Sequence, residues 1–530
     1  MQDPKDLTIA QLKDLLNTLN TSLSETNSLV ASLQKQIEEF KKERRIQQEK
    51  IDYLTKKLYG PSSEKHAVEI EGQYSIFDEP EKEQTILDDK GTIVKEYVRK
   101  MKATNLEKFR GLPTEERIIE LPEENRFCPE CGSKLEVIGK EHVRDEMVYI
   151  PAKVKIISYY AATYGCAECN KNTDHAVILK AVCPEALIPH SYATASSVAW
   201  CMYQKYVNAM PLYRQEQDWK RIGLVLSRST LANWIIYCAK TYFTPVYEYF
   251  HRELLRREFL MADETRVQVL KEPGRKAETD SFMWAYRSGE DGLHPITLFR
   301  YTQTRAGYNA EEFLKGFTGY LMTDGYQGYN VVPGIKRCSC LAHIRRYFVE
   351  AVPKGKENDV SEPSVQGVLY CDKLFEYERI AKEKGYTYEK RKEYRLQKEE
   401  PVLKAFFAWA EKLHTIKGTR FEKAVTYLLN RKPTMMTYLE DGRCSISNNP
   451  TESMIRPFTL GRKNWMFSDT PQGANASATV YSIVEIAKAN GLNPYKYLTY
   501  LLEQRPNEKM TDEELSQMAP WAEEVQENCR

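Results

Sequence analysis

The sequence predicts a multidomain α+β protein, and three observations lead to this fold class. A heptad repeat occupies the N-terminal 60 residues, two Cys-x-x-Cys pairs lie between residues 116 and 180, and acids fall inside predicted strands between residues 251 and 350. The chain has 530 residues. A chain of this length is too long for one hydrophobic core and should form roughly three to four domains.

The composition excludes a membrane protein. Apolar residues make up 42% of the chain and charged residues 28%, and no apolar run approaches the roughly 20 residues that a membrane span needs. Residues 1–13 lack the apolar core of a secretory signal, so we expect a cytoplasmic protein. The formal charge is +1, which taken alone argues against a chain coated in basic charge.

The N-terminal segment is predicted to be a coiled coil. Residues 9–58 contain no Gly and no Pro, and seven of eight and five of seven positions in two heptad registers are apolar. These positions are Ile9, Leu16, Leu23, Val30, Ile37, Ile51 and Leu58, with Leu12, Leu19, Leu33, Phe40 and Leu54. A strict heptad repeat favours a coiled-coil homodimer, and the β-branched residues of the first register favour a parallel pair. The alternative is a long helix packed on its own protein.

Two cysteine pairs predict a structural zinc site. Cys128 and Cys131 form one pair, Cys166 and Cys169 the other, and together they offer four thiolates to one tetrahedral Zn²⁺. The apolar, β-branched interval 143–160 predicts strands that bring the pairs together. Reduced thiols without metal, or a redox pair, are the alternatives.

The next region predicts a helix-turn-helix. Residues 214–221 form the first helix, Gly223 lies in the turn, and residues 230–236 form the second helix. Arg228 and Asn233 are placed to approach base edges or phosphates of DNA. An ordinary helix pair in a bundle would show the same pattern.

A run of predicted strands then carries two acids. The elements are strands over 259–270, 281–287 and 295–301, a helix over 308–317 and a strand over 319–326. This order is the ribonuclease H-like layout, in which neighbouring first and fourth strands place acids side by side. Asp263 and Asp324 are those acids.

A third acid completes a predicted metal centre. Glu452 follows Asn448, Asn449 and Pro450, which predict the cap and first position of a helix, with Arg456 one turn further on. Clustered carboxylates are tolerable when Mg²⁺ binds between them, and two such ions can support phosphodiester cleavage. Any single acid could instead be a solvated or capping carboxylate.

These motifs resemble the bacterial insertion sequence 66 transposases over nearly the whole chain. The similar segments are residues 262–265, 323–326, 340–348, 448–456 and 461–465, together with the zipper end at 58–65, the paired-cysteine segment and residues 210–216. One departure is Ser453, where that family often has Arg after the glutamate.

The resemblance implies a DDE transposase. Asp263, Asp324 and Glu452 would bind two Mg²⁺ or Mn²⁺ ions. Water would attack at the end of the element, and the released 3′-hydroxyl would attack target DNA. The implied partners are double-stranded DNA (terminal inverted repeats and target), a second copy of the chain and small accessory proteins of the element, on the bacterial nucleoid.

The resemblance also implies contacts to DNA. Arg345 and Arg346, with His343, would lie near the scissile phosphate, although His343 could instead be a packed core histidine. The further phosphate contacts would be Arg456, Arg462 and Lys463. Residues 69–90 carry a charge of −6 and residues 501–530 a charge of −5, which leaves the rest of the chain basic. We expect these acidic segments to limit nonspecific DNA binding, so deletion of residues 501–530 should raise the affinity for random DNA.

Two other functions fit the same pattern: a ribonuclease H-like nuclease or resolvase without strand transfer, and a non-catalytic DNA-binding protein. The long interval between Asp324 and Glu452 predicts a helical insertion. The predicted regions are a coiled coil (1–60), an acidic linker (61–115), a zinc ribbon (116–180), a helix-turn-helix-like region (181–250), a ribonuclease H-like catalytic domain (251–350 and 441–490), the insertion (351–440) and a C-terminal segment with an acidic tail (491–530).

Overall fold

The structure is a computed structural model. It describes residues 9–59, 154–161, 163–165, 178–180 and 183–530. The chain divides into a unit of residues 1–75 with 161–530 and a second unit of residues 76–160. The acidic stretch 69–90 and the predicted zinc ligands Cys128, Cys131, Cys166 and Cys169 lie outside the described residues.

The N-terminal helix, α1, runs over Ile9–Tyr59, as the absence of Gly and Pro predicted. Between residues 11 and 51, where the side chains are described, its apolar heptad side chains are open to solvent, with Leu19 63% and Leu23 61% exposed. The backbone N–H of Arg420 donates to Glu49 near the end of the helix, at 3.1 Å. Since the heptad side chains are exposed, self-packing does not explain the repeat.

A hairpin-like strand pair and a group of helices precede the main sheet. The elements are β1 (Thr163–Gly165), β2 (Ile178–Lys180), α2 (Ala195–Tyr206), α3 (Leu212–Arg221), α4 (Arg228–Cys238), a π-helical turn (Ala239–Phe243) and α5 (Thr244–Leu255). The helix α4 begins earlier than residue 230 because the Ser227 hydroxyl accepts the N–H of Thr230 at 3.1 Å. The turn before it contains Gly223 at φ +93°, a conformation that favours glycine.

The main sheet has five strands in the order β5-β4-β3-β6-β7. The elements are β3 (Phe259–Gln268), β4 (Asp280–Ser288), β5 (Thr297–Thr302), α6 (Tyr308–Phe313), β6 (Tyr320–Thr323) and β7 (Lys336–Ser339). β3, β4 and β5 pair antiparallel, whereas β6 and β7 run parallel to β3. The four predicted strands are therefore confirmed. The short β7 was not predicted, and the helix α6 is shorter than expected.

Helices make up most of the remaining chain. They are α7 (Leu341–Ala351), α8 (Pro363–Glu383), α9 (Tyr388–Glu411), α10 (Arg420–Asn430), α11 (Lys432–Met435), α12 (Asn449–Trp465), α13 (Pro471–Ala489), α14 (Pro494–Gln504), α15 (Asp512–Ser516) and α16 (Glu523–Cys529). The helical character expected before Glu452 is confirmed by α8 to α11. In the described part of the chain, no helix is apolar over a length that would cross a bilayer.

The sheet is buried on both faces, and the alternation along β3 shows how. Leu260 and Ala262 enter a core shared with α2 to α5 and α12 to α16. Phe259 and Met261 enter a second core shared with α7 to α11. Because successive side chains of a strand point to opposite faces, one strand supplies both cores.

The acidic C-terminal segment is folded. Leu515, Val525 and Cys529 are buried in the first core. The Arg252 side chain pairs with Asp512 at 2.5 Å, and the Trp521 ring stacks on His294 at 5.2 Å between centroids. Deletion of residues 501–530 would therefore remove part of a core together with the acids, because the apolar side chains of this segment are buried while its acids face solvent.

The substitution Leu515→Ala should lower the free energy of unfolding by about 2–5 kcal/mol, because it leaves a cavity in this core. Urea denaturation followed by circular dichroism measures the change. Glu524→Gln removes an exposed acid from the same segment and should change stability by less than about 0.5 kcal/mol. Equal effects of the two substitutions would contradict the packed C-terminal segment.

Candidate active site

Asp263 lies on β3 just past the point where β6 stops pairing with it. The parallel pairing of the two strands covers Phe259–Met261, and the carboxylate of Asp263 accepts the backbone N–H of Glu264 at 2.8 Å. Beyond the paired segment, the side-chain amide of Asn448 donates to the carbonyl oxygen of Ala262 at 3.0 Å. A residue from far along the chain therefore takes the place of the neighbouring strand.

Asp324 follows the last residue of β6. Its carboxylate accepts the backbone N–H of Tyr326 at 2.8 Å, which holds it at the strand end. Carboxylate oxygens of Asp263, Glu264 and Asp324 all lie within 4.8 Å of one another. The parallel β3–β6 pairing thus brings the two predicted aspartates together.

Glu264 was not predicted as part of this cluster. Its carboxylate accepts hydrogen bonds from Arg305 Nε at 2.7 Å and from the Tyr329 hydroxyl at 2.6 Å. Arg305 also lies 3.9 Å from Asp324. Glu264 is therefore a partly neutralised acid, and it holds the Arg305 guanidinium beside the aspartates.

Glu452 lies in the first turn of α12. Its backbone N–H donates to the carbonyl oxygen of Asn448 at 3.1 Å. The helix begins at Asn449, so Pro450 is its second residue. Asn448 holds the N-cap position, as predicted, but its side chain makes no capping hydrogen bond because its amide reaches across to β3 instead.

The start of α7 surrounds Glu452 with a second group of side chains. His343 Nε2 lies 3.6 Å from Glu452 Oε1, and Arg346 donates to Glu452 Oε2 at 3.3 Å. Potential ligand atoms of Cys340, His343 and Glu452 lie within 4.8 Å of one another. His343 is thus close to the predicted third acid and is only 18% exposed.

Burial and mutual repulsion make the carboxylate cluster a poor place for negative charge. Burial, then Glu264, Asp324 and Glu452, raise the pKa of Asp263 well above its usual range. Burial also raises the pKa of Glu264, against the opposing effect of Tyr329 and Arg305. Burial lowers the pKa of His343, although Glu452 opposes this shift.

The donor set of the cluster fits a hard divalent cation. Asp263 and Asp324 offer carboxylate oxygens, and Glu452 Oε1 is buried without a hydrogen-bond partner among the described residues. Oxygen ligands of this kind suit Mg²⁺ or Mn²⁺, and a bound cation would relieve the repulsion that raises the pKa of Asp263.

Two of the predicted DNA contacts beside the cluster make ion pairs. The Arg345 side chain binds Asp372 of α8 at 2.5 Å, and Arg346 binds Glu452. Arg462 donates to Thr265 Oγ1 at 3.3 Å. The arginines predicted to meet phosphate are therefore held partly by protein acceptors.

The other predicted DNA contacts lie at exposed positions on two helices. Arg228 and Asn233 are exposed on α4, and Arg228 lies 6.0 Å from the ring centre of Tyr213. Arg456 and Lys463 are exposed on α12. The α4 pair belongs to the helices before the sheet, whereas the α12 pair lies on the helix that carries Glu452.

The sequence did not reveal that Glu264, Arg305 and Tyr329 belong to the site. Nor did it reveal that Asn448 links the start of α12 to β3 by a hydrogen bond. Strand alternation predicts that Glu264 points away from Asp263, so the pattern gave no reason to join them. The adjacency of two acids in one strand was the available signal. Arg305 and Tyr329 lie outside the regular strands, where no periodicity marks them.

The acids meet where the pairing of two inner strands of the mixed sheet ends, which suggests a metal-dependent enzyme. The family comparisons define the class of this protein as a transposase. Residues 190–476 match the Transposase IS66 family. Residues 125–170, which contain all four paired cysteines, match the zinc-finger binding domain of transposase IS66, and residues 482–521 match the IS66 C-terminal element. The chain belongs to the IS66 transposase family.

Relatives in Sinorhizobium fredii match most of the chain. The uncharacterized protein y4jD is 28% identical over 425 residues, which cover 77% of this chain and 80% of the relative. The uncharacterized protein y4qI is 27% identical over 422 residues, which cover 77% of this chain and 75% of the relative. The family resemblance seen in the motifs is therefore confirmed.

The substitution Asp263→Asn should stabilise the fold at neutral and alkaline pH. Because the pKa of Asp263 is raised in the folded state, that state binds more protons, and stability falls as pH rises between the unfolded and folded values. Removing the charge should add about 0.5–2 kcal/mol at pH 8, with a smaller gain as pH falls toward 4.

Urea unfolding without added divalent metal, at a series of pH values, measures this gain. The exposed acid Asp469, changed to Asn, serves as the control and should give little change at any pH. A destabilised Asp263→Asn chain at pH 8 would contradict the electrostatic description of the cluster.

Proposed function

We propose that this chain is a DDE transposase whose triad is Asp263, Asp324 and Glu452. The observation that carries the proposal is the cluster of Asp263 and Asp324, with Glu452 near enough to help raise the pKa of Asp263, in a member of the IS66 family. The strand order, with three antiparallel strands followed by two parallel to the first, supports a ribonuclease H-like catalytic domain.

The triad would hold Mg²⁺ or Mn²⁺, two ions per site, through the carboxylates of Asp263, Asp324 and Glu452. When bound, such ions polarise a phosphodiester and favour an oxygen nucleophile. Asp263 and Asp324 are held by backbone N–H donors at 2.8 Å, so the protein positions their oxygens before any ligand arrives.

The groups around the triad would orient DNA. Arg346 and His343 lie beside Glu452, where a guanidinium and an imidazole N–H can contact the oxygens of a bound phosphate. Arg305 would hold the Glu264 side chain in place through their hydrogen bond and add positive charge near Asp324. In this role His343 and Arg346 are contacts to the scissile group, while Arg305 is a positioning residue.

The reaction would proceed in two displacements at phosphorus. Hydrolysis at the end of the element would break a phosphodiester and leave a 3′-hydroxyl, and this hydroxyl would attack a phosphodiester of target DNA and release a new 3′ end. The triad side chains would hold the reacting groups in one place through both displacements, and the arginines would hold the DNA backbone.

DNA outside the site would be bound by separate surfaces. Arg228 and Asn233 lie on the exposed side of α4, whose apolar side is buried, as in a helix that enters a groove. Arg456 and Lys463 on α12 would contact phosphates next to the site, with Arg462 and Arg345 joining them when their protein partners release. The paired cysteines would bind structural Zn²⁺, which the zinc-finger match supports.

The exposed apolar stripe of α1 supports homodimerisation through a coiled coil. The double substitution Leu19→Lys and Leu23→Lys should raise the dimer dissociation constant at least about 100-fold, because buried leucines each contribute about 1.5–3 kcal/mol. Size-exclusion chromatography with light scattering measures the change. Thr21→Lys with Ser28→Lys adds the same charge outside the heptad core and should leave the dimer intact; equal dissociation would count against the coiled coil.

Asp324→Ala should abolish metal-dependent cleavage of the element's own terminal DNA, with a loss of at least about 10²–10³-fold. The assay uses labelled terminal duplexes with Mg²⁺, with and without the small accessory proteins of the element, and scores both nicked and joined products. Glu311→Gln changes an exposed acid on α6 and should keep full activity.

The products separate the proposed transposase from its alternatives. Nicking of these ends without joined products, even from pre-cleaved ends, would assign a nuclease instead. Cleavage by Asp324→Ala at the parent rate would overturn the triad.

A further inference from the structure

Cys340, His343 and Glu452 form a cluster that the triad does not account for. Cys340 immediately precedes α7, His343 lies in the first turn of that helix, and Glu452 comes from the first turn of α12. One potential ligand atom from each lies within 4.8 Å of the other two. Two helix starts therefore bring a thiol, an imidazole and a carboxylate to one point.

The sulfur of Cys340 is surrounded by a polar environment despite its burial. Cys340 is only 2% exposed, and its Sγ accepts the backbone N–H of Asn448 at 3.1 Å. A hydrogen-bond donor directed at sulfur fixes the orientation of the side chain, as donors around a metal site do for its ligands. This environment differs from that of an ordinary buried cysteine, which behaves as a small apolar side chain.

The other two members have unused polar atoms. Within the described chain, Glu452 Oε1 and His343 Nδ1 are buried without a hydrogen-bond partner. Arg346 occupies the other oxygen of Glu452, Oε2, so Oε1 remains directed toward the imidazole. Buried polar atoms without partners are costly, and a bound cation would satisfy the carboxylate oxygen.

We propose that Cys340, His343 and Glu452 bind a thiophilic divalent cation, of which Zn²⁺ is the representative. Sulfur, nitrogen and oxygen ligands at one point suit Zn²⁺, with a water in the fourth position. The all-oxygen cluster of Asp263, Glu264 and Asp324 is harder and suits Mg²⁺. On binding, the Cys340 thiol loses its proton to solvent and its sulfur forms a bond to the metal.

Glu452 belongs to both sets of ligands, which gives the cation a consequence for activity. This part rests on the proposed function. A Zn²⁺ ion on Cys340, His343 and Glu452 withdraws the third carboxylate from Asp263 and Asp324, so micromolar Zn²⁺ inhibits cleavage that is supported by millimolar Mg²⁺.

Zinc titration of the full chain tests the binding. The chain, with the zinc it carries after purification, competes with a chromophoric chelator for added Zn²⁺. We expect the parent to bind one zinc ion more than Cys340→Ser, or Cys340→Ser to bind this ion with at least about tenfold lower affinity. Cys338→Ser changes another buried cysteine two positions away and should bind like the parent.

Added Co²⁺ gives a second readout, because a thiolate–cobalt charge-transfer band appears only when sulfur is a ligand. With the paired-cysteine site already filled by zinc, the band that added Co²⁺ produces should be present in the parent and in Cys338→Ser, and absent in Cys340→Ser. Thermal denaturation establishes that both variants are folded. An unchanged zinc stoichiometry and affinity in a folded Cys340→Ser chain, or no added ion in the parent, would overturn the site.

Cleavage assays distinguish failure of the site from failure of the proposed function. With each protein normalised to its own zinc-free rate, Zn²⁺ should inhibit the parent and Cys338→Ser at concentrations at least tenfold lower than Cys340→Ser. Cleavage with equal zinc sensitivity in all three proteins would overturn the inhibitory role. Zinc binding by a chain that cleaves under no condition would leave the site standing and reject the transposase assignment.

Discussion

Asn448 joins the three chain segments on which the candidate site depends. Its side-chain amide donates to the carbonyl oxygen of Ala262, its backbone N–H donates to Cys340 Sγ, and its own carbonyl oxygen accepts the N–H of Glu452. Losing the amide would leave a buried carbonyl oxygen unsatisfied, at a cost of about 1–3 kcal/mol. The separation between Asp263 and Glu452 is therefore set by one fully buried side chain rather than by the sheet alone.

The helices between β7 and α12 support the same junction from the other side. Arg395 is fully buried, pairs with Glu378 at 2.6 Å and donates to the carbonyl oxygens of Tyr438, Asp441 and Cys444. These carbonyls belong to the segment that leads into α12. Removing one partner of such a buried pair costs about 3–5 kcal/mol, because the other charge is left uncompensated. These helices are thus a structural part of the framework of the site.

The sequence predicted the parts of the fold that follow a simple period. The strands around Asp263 and Asp324 alternate or run apolar, and Pro450 marked the start of the helix with Glu452, so the acids could be placed. The membership of Glu264 in a cluster with Asp263 and Asp324 could not be predicted, because the position of its side chain depends on Arg305 and Tyr329 from distant segments. The packing of the C-terminal segment could not be predicted for a similar reason: charge dominates the composition of that segment, while Leu515 and Val525 are the side chains that enter the core.

The dependence of the sheet on α13 has a consequence for how the chain folds during synthesis. Phe299 of β5 donates its backbone N–H to the Ser482 hydroxyl at 2.8 Å, and its ring lies 5.9 Å from that of Tyr481. At about 5–20 residues per second, a ribosome needs roughly eight to thirty seconds after β7 to complete α13. Until then one face of the nascent sheet lacks the cover that α13 gives it, so chaperone binding and premature termination should act most strongly in this interval.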